Sequence, residues 1–188
     1  SVVFDADSHP ENENIKDAVA VDIAQGFEPT QIDVLQLTPF SSADILVGGT
    51  IDNPIGTTNF VNQGGDVLSG NGSLVRTNKL IVDSENNVGS SFLRLRVDLV
   101  ESANRPADMD INADGDVWLD LRGINRNVPS ANFLVHAGEI AAEDVDLFLR
   151  PSLDQTTLGP APSFEVDVFE TDPNTHTIRK FHFRNEDA

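Results

Sequence analysis

The chain has 188 residues and no cysteine, so it is long enough to bury a sizeable core and is not a small disulfide-stabilised protein. Its 12 Lys and Arg stand against 31 Asp and Glu, a formal net charge of −19 at pH 7 that repels nucleic acids and anionic membranes. No apolar stretch is long enough to cross a bilayer, so we expect neither nucleic-acid binding nor membrane insertion.

The acidic composition points to a location outside an ordinary cytoplasm. Lysine occurs only at Lys16, Lys79 and Lys180, and aspartate outnumbers glutamate. Such a surface is typical of proteins in high salt or of extracellular proteins whose aspartates meet divalent cations. The chain begins at Ser1 without a signal peptide, which indicates a processed product or a piece of a longer protein. We therefore predict a secreted or cell-surface protein.

Apolar residues alternate with polar ones from Val19 onward, which is typical of strands with one buried face. In chain order the alternating sets are Val19-Val21-Ile23, Ile45-Val47, Leu93-Leu95-Val97-Leu99, Val117-Leu119-Leu121, Val145-Leu147-Leu149 and Phe164-Val166-Val168, and Ile32-Val34-Leu37 nearly alternates. The spacing of Ile15, Val19 and Ile23 also permits a short helix. We therefore predict an N-terminal strand or helix cap over residues 1–30.

Glycine, asparagine and proline clusters between these strands predict tight corners. They are Gly48-Gly49, Asp52-Asn53-Pro54, Gly64-Gly65, Gly70-Asn71-Gly72, Asn86-Asn87, Asp114-Gly115 and Asp172-Pro173-Asn174. Residues 151–162 are poor in large apolar side chains and predict a linker. Residues 163–188 then predict a C-terminal hairpin that turns at Asp172–Thr175.

A loose repeat suggests that the strands stack. Asp116–Arg122 and Asp144–Arg150 share Asp, Val, Leu, Leu and Arg at matching positions, 28 residues apart. Shorter copies of a small residue, Asp and an apolar residue occur at Ala43-Asp44-Ile45, Gly65-Asp66-Val67 and Ala107-Asp108-Met109. Units of this size cannot bury their own apolar faces, so residues 31–150 predict a β-solenoid.

Several stretches resemble the repeats of a known family. Gly64–Ser69, Asp110–Gly123 and Ala142–Arg150 are similar to repeats of filamentous-haemagglutinin-type exoproteins, which are large adhesins exported by two-partner secretion. In that family, Gly-Asp-Val/Ile-x-Leu runs form the turns of a right-handed parallel β-helix. The resemblance therefore implies an all-β parallel β-helix and an adhesive role. An antiparallel β-sandwich is the alternative fold.

One acidic segment is a candidate calcium site. Its members are Asp108, Asp110, Asn112, Asp114 and Asp116. From Asp110 onward they match D-x-N-x-D-G, but the twelfth position, which should be a bidentate carboxylate, is Leu121. Ca²⁺ is therefore the one predicted cofactor. The alternative is that the segment is the polar face of an ordinary strand followed by a corner at Asp114-Gly115.

Four further residues are candidates for binding. Trp118 and Phe148 occupy outward positions of strands whose inward residues are aliphatic, which suggests a contact surface for a sugar, a neighbouring domain or another chain. The alternative is that a loop or the C-terminal hairpin covers the two rings. Arg122 and Arg150 end the two repeat strands, where we expect them to pair with aspartates on neighbouring strands.

No catalytic motif is present in the sequence, and we assign no catalytic residue. We predict a non-catalytic structural or adhesive module of a larger surface or fibre-forming protein. Its expected interactions are self-association into fibres and binding to cell-surface glycans. The alternatives are a carbohydrate-binding module and a calcium-dependent polysaccharide-active enzyme. The enzyme would use Asp108, Asp110, Asp114 and Arg122.

Overall fold

The computed structural model describes residues 2–5, 21–22, 30–38, 42–102, 104–126, 134–151, 153–154, 163–172 and 174–185. Throughout these residues the chain is all-β, with no helix. Of the segment for which we considered a helix, only Val21 and Asp22 are described, and they form a strand. Ile15, Val19 and Ile23 lie outside the described residues.

The described strands follow one another along the whole chain. They are β1 (Val2–Asp5), β2 (Val21–Asp22), β3 (Gln31–Gln36), β4 (Ile45–Val47), β5 (Thr50–Asn62), β6 (Val67–Ser69), β7 (Leu74–Ser84), β8 (Leu95–Ser102), β9 (Asp108–Ala113), β10 (Val117–Arg126), β11 (Leu134–Ala142), β12 (Val145–Leu149), β13 (Leu153–Asp154), β14 (Ser163–Thr171) and β15 (Ile178–Asn185).

The strands stack in parallel as a β-solenoid of about five turns, and we call each turn a rung. Face A holds β1, β3, the second halves of β5 and β7, and then β9, β11, β14 and β15. Face B holds β2, the first halves of β5 and β7, and then β8, β10, β12 and β13. Face C holds β4, β6 and Val88, followed by the first residues of β10 and β12. The predicted parallel solenoid is confirmed, and the antiparallel sandwich is not the fold.

Alternate residues of each strand point into the solenoid, where aliphatic side chains fill the core. On β10, for example, Val117, Leu119 and Leu121 are fully buried, as the repeat predicted. Each such side chain contributes about 1.5–3 kcal/mol on burial. One expectation was wrong, because Gln36 occupies the buried position at the end of β3 and Leu37 is 43% exposed.

A ladder of side chains fixes the corner before face C, and we call Asp44, Asp66, Asn87 and Asp116 the corner ladder. From Asp66 onward, the backbone N–H of each member donates to the side chain one rung earlier: Asp66 to Asp44 Oδ1 at 2.9 Å, Asn87 to Asp66 Oδ1 at 3.0 Å, and Asp116 to Asn87 Oδ1 at 2.9 Å. The glycine that precedes Asp66 is needed, because a Cβ on Gly65 would lie 2.2 Å from the carbonyl oxygen of Ala43. The ladder is the physical basis of the Gly-Asp-apolar repeat.

The structure corrects the repeat in two places. Asn87 fills the ladder in the rung where the sequence has no aspartate, and the strand there is reduced to a single bridging residue, Val88. Asp108 follows a small residue in the same way but opens β9 on face A, where it pairs with Lys79 and takes no part in the ladder.

Another predicted turn lies within a strand. Asp52, Asn53 and Pro54 belong to β5, which continues from face B to face A with a shift of register between Asn53 and Thr57. The Asn53 side chain stabilises this bend, because its Nδ2 donates to the carbonyl oxygens of Thr30 and Thr57. The chain therefore bends at Pro54 without reversing.

The C-terminal hairpin is present. β15 runs antiparallel to β14 in full register from Phe164–Asn185 to Thr171–Ile178, and β14 itself pairs in parallel with β11. The hairpin is therefore continuous with face A. The backbone N–H of His176 closes the turn on the carbonyl of Asp172 at 2.7 Å. Of the predicted linker, Leu153–Asp154 form the short strand β13, and residues 152 and 155–162 lie outside the described part of the chain.

Two polar side chains are buried in the interior near the C-terminal ends of β8 and β10. Glu101 and Asn125 are register neighbours on β8 and β10, with 8% and 0% of their surface exposed. Glu101 Oε2 and both polar atoms of the Asn125 side chain have no hydrogen-bond partner among the described residues. Burial raises the pKa of Glu101 to about 7, although a hydrogen bond with the backbone of Ala107 partly opposes the shift.

The corner ladder predicts different effects for two substitutions at one position. Asp66→Asn keeps the acceptor for Asn87 and removes a carboxylate that, together with burial, raises the pKa of Asp44, so we expect unchanged or slightly higher stability. Asp66→Ala leaves the partly buried N–H of Asn87 without its acceptor and should lower the free energy of unfolding by about 1–2 kcal/mol. Urea unfolding of both variants measures this, and equal losses would contradict the role of the ladder.

Glu101 predicts a stability that depends on pH. Its pKa in the folded state is above the ordinary value of 4.5, so the folded protein holds more protons, and stability falls as the pH rises from about 5 to 8. Relative to Glu101→Gln, the wild type should lose about 2–3 kcal/mol over that range. Urea unfolding of both proteins at the two ends of this pH range measures the difference in the free energy of unfolding. The matched control is Glu85→Gln at an exposed position after β7, which should leave the difference in unfolding free energy between the two pH values as in the wild type.

Candidate functional site: an aromatic groove on the outer surface

An open groove of about 380 Å³ runs along the corner between faces C and B. Four successive rungs contribute to it: the Ser69–Ser73 turn, the segment from Phe92 to Arg96, Asp120 on β10 and Phe148 on β12. Neighbouring strands are about 4.8 Å apart, so the groove spans about 14 Å along the solenoid axis. It is therefore long enough for an extended ligand.

Two exposed phenylalanines flank the groove. Phe92 is 98% exposed and Phe148 is 53% exposed. The backbones of Ser90 and Leu93 hydrogen-bond to each other at 3.1 Å in both directions, which holds Phe92 at the tip of a tight turn. Phe148 occupies an outward position of β12, as the sequence predicted. An exposed ring held by a rigid turn presents an apolar surface to solvent without a local packing role.

Arginine and aspartate side chains form the polar part of the groove. Arg96, Asp120 and Phe148 are register neighbours on β8, β10 and β12. Arg96 Nε lies 3.9 Å from Asp120 Oδ2, and Arg94 Nη2 lies 2.6 Å from Asp146 Oδ2. Because each arginine already faces a carboxylate, the groove offers directed N–H donors without a strong net positive charge.

A buried ion network underlies this surface. Asp98 on β8 is 1% exposed and pairs with both Arg122 and Arg150, the second at 2.9 Å. Arg150 also pairs with Asp120, and its Nη2 donates to the carbonyl oxygen of Val97 at 3.2 Å. The expectation that Arg122 and Arg150 pair with aspartates on neighbouring strands is confirmed. Arg150 therefore holds Asp120 in place and joins three rungs.

The structure separates Trp118 from this groove. Trp118 is half-buried on β10 and pairs in register with Asp146, but it does not line the groove. Of the four predicted binding residues, Phe148 lies in the groove and Arg150 supports it from below. Sequence analysis did not identify Phe92 or Asp120 as site residues. The alternation of Arg94 and Arg96 just after Phe92 was the available signal.

The predicted calcium segment forms the strand and corner that were its alternative interpretation. On β9, Met109, Ile111 and Ala113 are buried, whereas Asp110 and Asn112 are exposed. Asp108 pairs with Lys79 at 2.7 Å, and Asn112 Nδ2 donates to Asp83 at 3.3 Å. Side chains two residues apart on one strand face lie about 7 Å apart, too far to meet at one ion without help from other elements.

Part of that segment lines a second open pocket, of about 300 Å³. Asn112 and Asp114 share it with Glu143 and His176. Asp116 belongs instead to the corner ladder, and Arg122 lies on face B. Within the described residues, no three His, Asp or Glu side chains come close enough to hold a metal ion. Calcium binding by this segment therefore stays a prediction.

Comparison with known proteins finds no matching family model, no matching curated protein and no matching solved structure. The fold is compatible with a β-helix repeat protein, which is the coarser part of the resemblance noted in the sequence. In the part of the chain that the structure describes, no helix has the length and apolarity needed to cross a membrane.

The ion network predicts that two arginines differ greatly in importance. Arg150→Met leaves the buried Asp98 with one partner in place of two, so we expect a loss of about 2–4 kcal/mol in the free energy of unfolding. Arg94→Met breaks a half-exposed ion pair and should cost no more than about 1 kcal/mol. Urea unfolding of the two variants tests this, and similar losses would show that Arg150 has no special structural role.

Proposed function

We propose that this chain is a non-catalytic structural and adhesive module of an extracellular surface or fibre-forming protein, and that it adheres to neutral carbohydrate through the aromatic groove. The observation that carries the proposal is the pair of exposed rings, Phe92 and Phe148, which line one groove together with charged side chains. A filamentous-haemagglutinin-type origin belongs to the same proposal and is supported by the repeat sequences and the parallel solenoid.

The chemistry of the groove suits a sugar chain. A pyranose ring has an apolar face of C–H groups, which stacks on an aromatic ring, and a rim of hydroxyl groups. Arg94, Arg96 and Asp120 supply charged donors and acceptors to the same groove. A ligand in the groove could therefore stack on the two aromatic rings and hydrogen-bond to the charged side chains.

Charge favours a neutral glycan over an acidic one. The net charge of −19 repels a polyanionic ligand at long range, and the arginines in the groove are already paired with Asp146 and Asp120. A neutral polysaccharide carries no such penalty, since its hydroxyls accept and donate hydrogen bonds without displacing the ion pairs.

Glycan binding should depend on both rings. We expect the wild type to bind at least one neutral oligosaccharide, and Phe92→Ala and Phe148→Ala each to weaken that binding about tenfold through the loss of a stacking contact. Isothermal titration with neutral glucan, mannan and xylan oligomers measures this. The matched control, Phe169→Ala, changes a ring on face A and should bind normally.

Two results would contradict the proposal. One is the absence of binding to every neutral glycan tested, and the other is binding that neither ring variant weakens. The reducing ends of the bound polysaccharide also distinguish a module from an enzyme. We expect their number to stay constant during incubation with or without EDTA, whereas an EDTA-sensitive increase would favour the calcium-dependent enzyme.

A further inference from the structure

The last rung leaves an apolar end. Phe181 and Phe183 on β15 are 38% and 40% exposed, with their ring centroids 6.2 Å apart, and Leu153 is 40% exposed. The inward residues of β12, which are Val145, Leu147 and Leu149, are only partly buried, whereas their counterparts on β10 are fully buried. The last rung therefore shields its apolar side chains from solvent less completely than the preceding rungs do.

The two ends of the stack expose the two edges of one sheet. The strand order on face A runs from β1 through β3, β5, β7, β9, β11 and β14 to β15. Within the described residues, β1 pairs only with β3, and β15 pairs only with β14. Each edge strand therefore has one side with no described strand beside it, and such an edge is the usual template for pairing with another chain.

The two edges differ in charge. β15 contains Arg179, Lys180, His182 and Arg184 and no acidic residue; Glu186 and Asp187 follow it outside the described residues. Residues 1–29, which contain β1 and β2, have seven Asp and Glu against one Lys. Lys180 and His182 also pair with Asp167 inside the chain, but β15 itself is basic and the N-terminal sequence is acidic, so opposite charges favour contact between unlike ends.

Strand direction also favours this arrangement. β15 runs antiparallel to β14, whereas β1 runs parallel to the rest of face A. A second copy in the same orientation would therefore bring its β1 antiparallel to β15, the direction with the better hydrogen-bond geometry. β1 of that copy would also lie beside Phe181 and Phe183.

A closed dimer of two such ends is disfavoured. If β15 paired with β15 of a second copy, Lys180, His182 and Arg184 on the outward side would lie opposite the same set of residues. Like charges directly across a strand pair are destabilising. The contact is thus heterologous, and heterologous contacts that do not close generate open filaments.

We propose that copies of this chain associate head to tail, with the β15 edge of one copy pairing with the β1 edge of the next. This specifies the fibre-forming part of the proposed function and is independent of the groove. The antiparallel pairing then makes face A continuous from copy to copy, and each junction buries the apolar end of one solenoid.

Sedimentation velocity of the full chain tests the proposal. The average mass should rise with concentration beyond that of a dimer, and the association should weaken at high salt, because the opposite charges at the junction are screened. The paired substitutions Lys180→Gln and Arg184→Gln should weaken association about tenfold. Phe181→Ser should also weaken it, through the apolar end. Melting temperatures confirm that each variant is folded.

The matched control removes the same charge from the sides of the solenoid, with Arg76→Gln and Lys79→Gln, and should associate as the wild type does. A wild type that stays monomeric would overturn the proposal. The apolar end would then be the contact surface of a different polypeptide. Assembly that stops at a dimer would also overturn it. So would a control variant whose association is weakened as much as that of the β15 variants. Glycan titration separates this from the groove, because the β15 variants should bind sugar normally.

Discussion

Each rung of the solenoid hydrogen-bonds in register to the rung before it and the rung after it, and this parallel pairing supports everything else in the molecule. The corner ladder fixes the register, since the N–H groups of Asp66, Asn87 and Asp116 each bond to the side chain one rung earlier. A slip of one residue would turn the aliphatic side chains outward. The acidic residues at the corners are therefore structural, and a large excess of Asp is compatible with a stable fold.

Register also arranges the outer surface into columns, and the columns on two faces differ. On face B, Asp52, Arg76, Asp98 and Arg122 alternate in sign along successive rungs, so neighbours attract. On face A, Asp110, Glu139 and Asp167 are successive carboxylates, and the column ends at His182. Hydrogen bonds from His182 and Lys180 lower the pKa of Asp167. The basic strand β15 thus offsets the repulsion that accumulates along face A.

The stacking of rungs also places the candidate functional features on the outer surface and not in the core. The interior is filled by stacked side chains, and the surface features with recognisable chemistry lie where rungs bring distant residues together. Phe92 and Phe148 are remote in sequence but flank one groove, because two rungs separate them. The exposed ends of the stack are the other such feature. A long, regular surface with an edge strand at each end suits the proposed roles in adhesion and assembly.

The sequence by itself determined the all-β class, the parallel solenoid, the C-terminal hairpin and the pairing of Arg122 and Arg150, because short-range alternation and repeated Asp-apolar steps report burial directly. It did not reveal β5, β7 and β11 as strands, the place of Asn87 in the corner ladder, or the groove between Phe92 and Phe148. Those depend on which residues become register neighbours. Turns of unequal length separate the rungs, and only the folded backbone decides how many residues each turn absorbs before the next strand pairs.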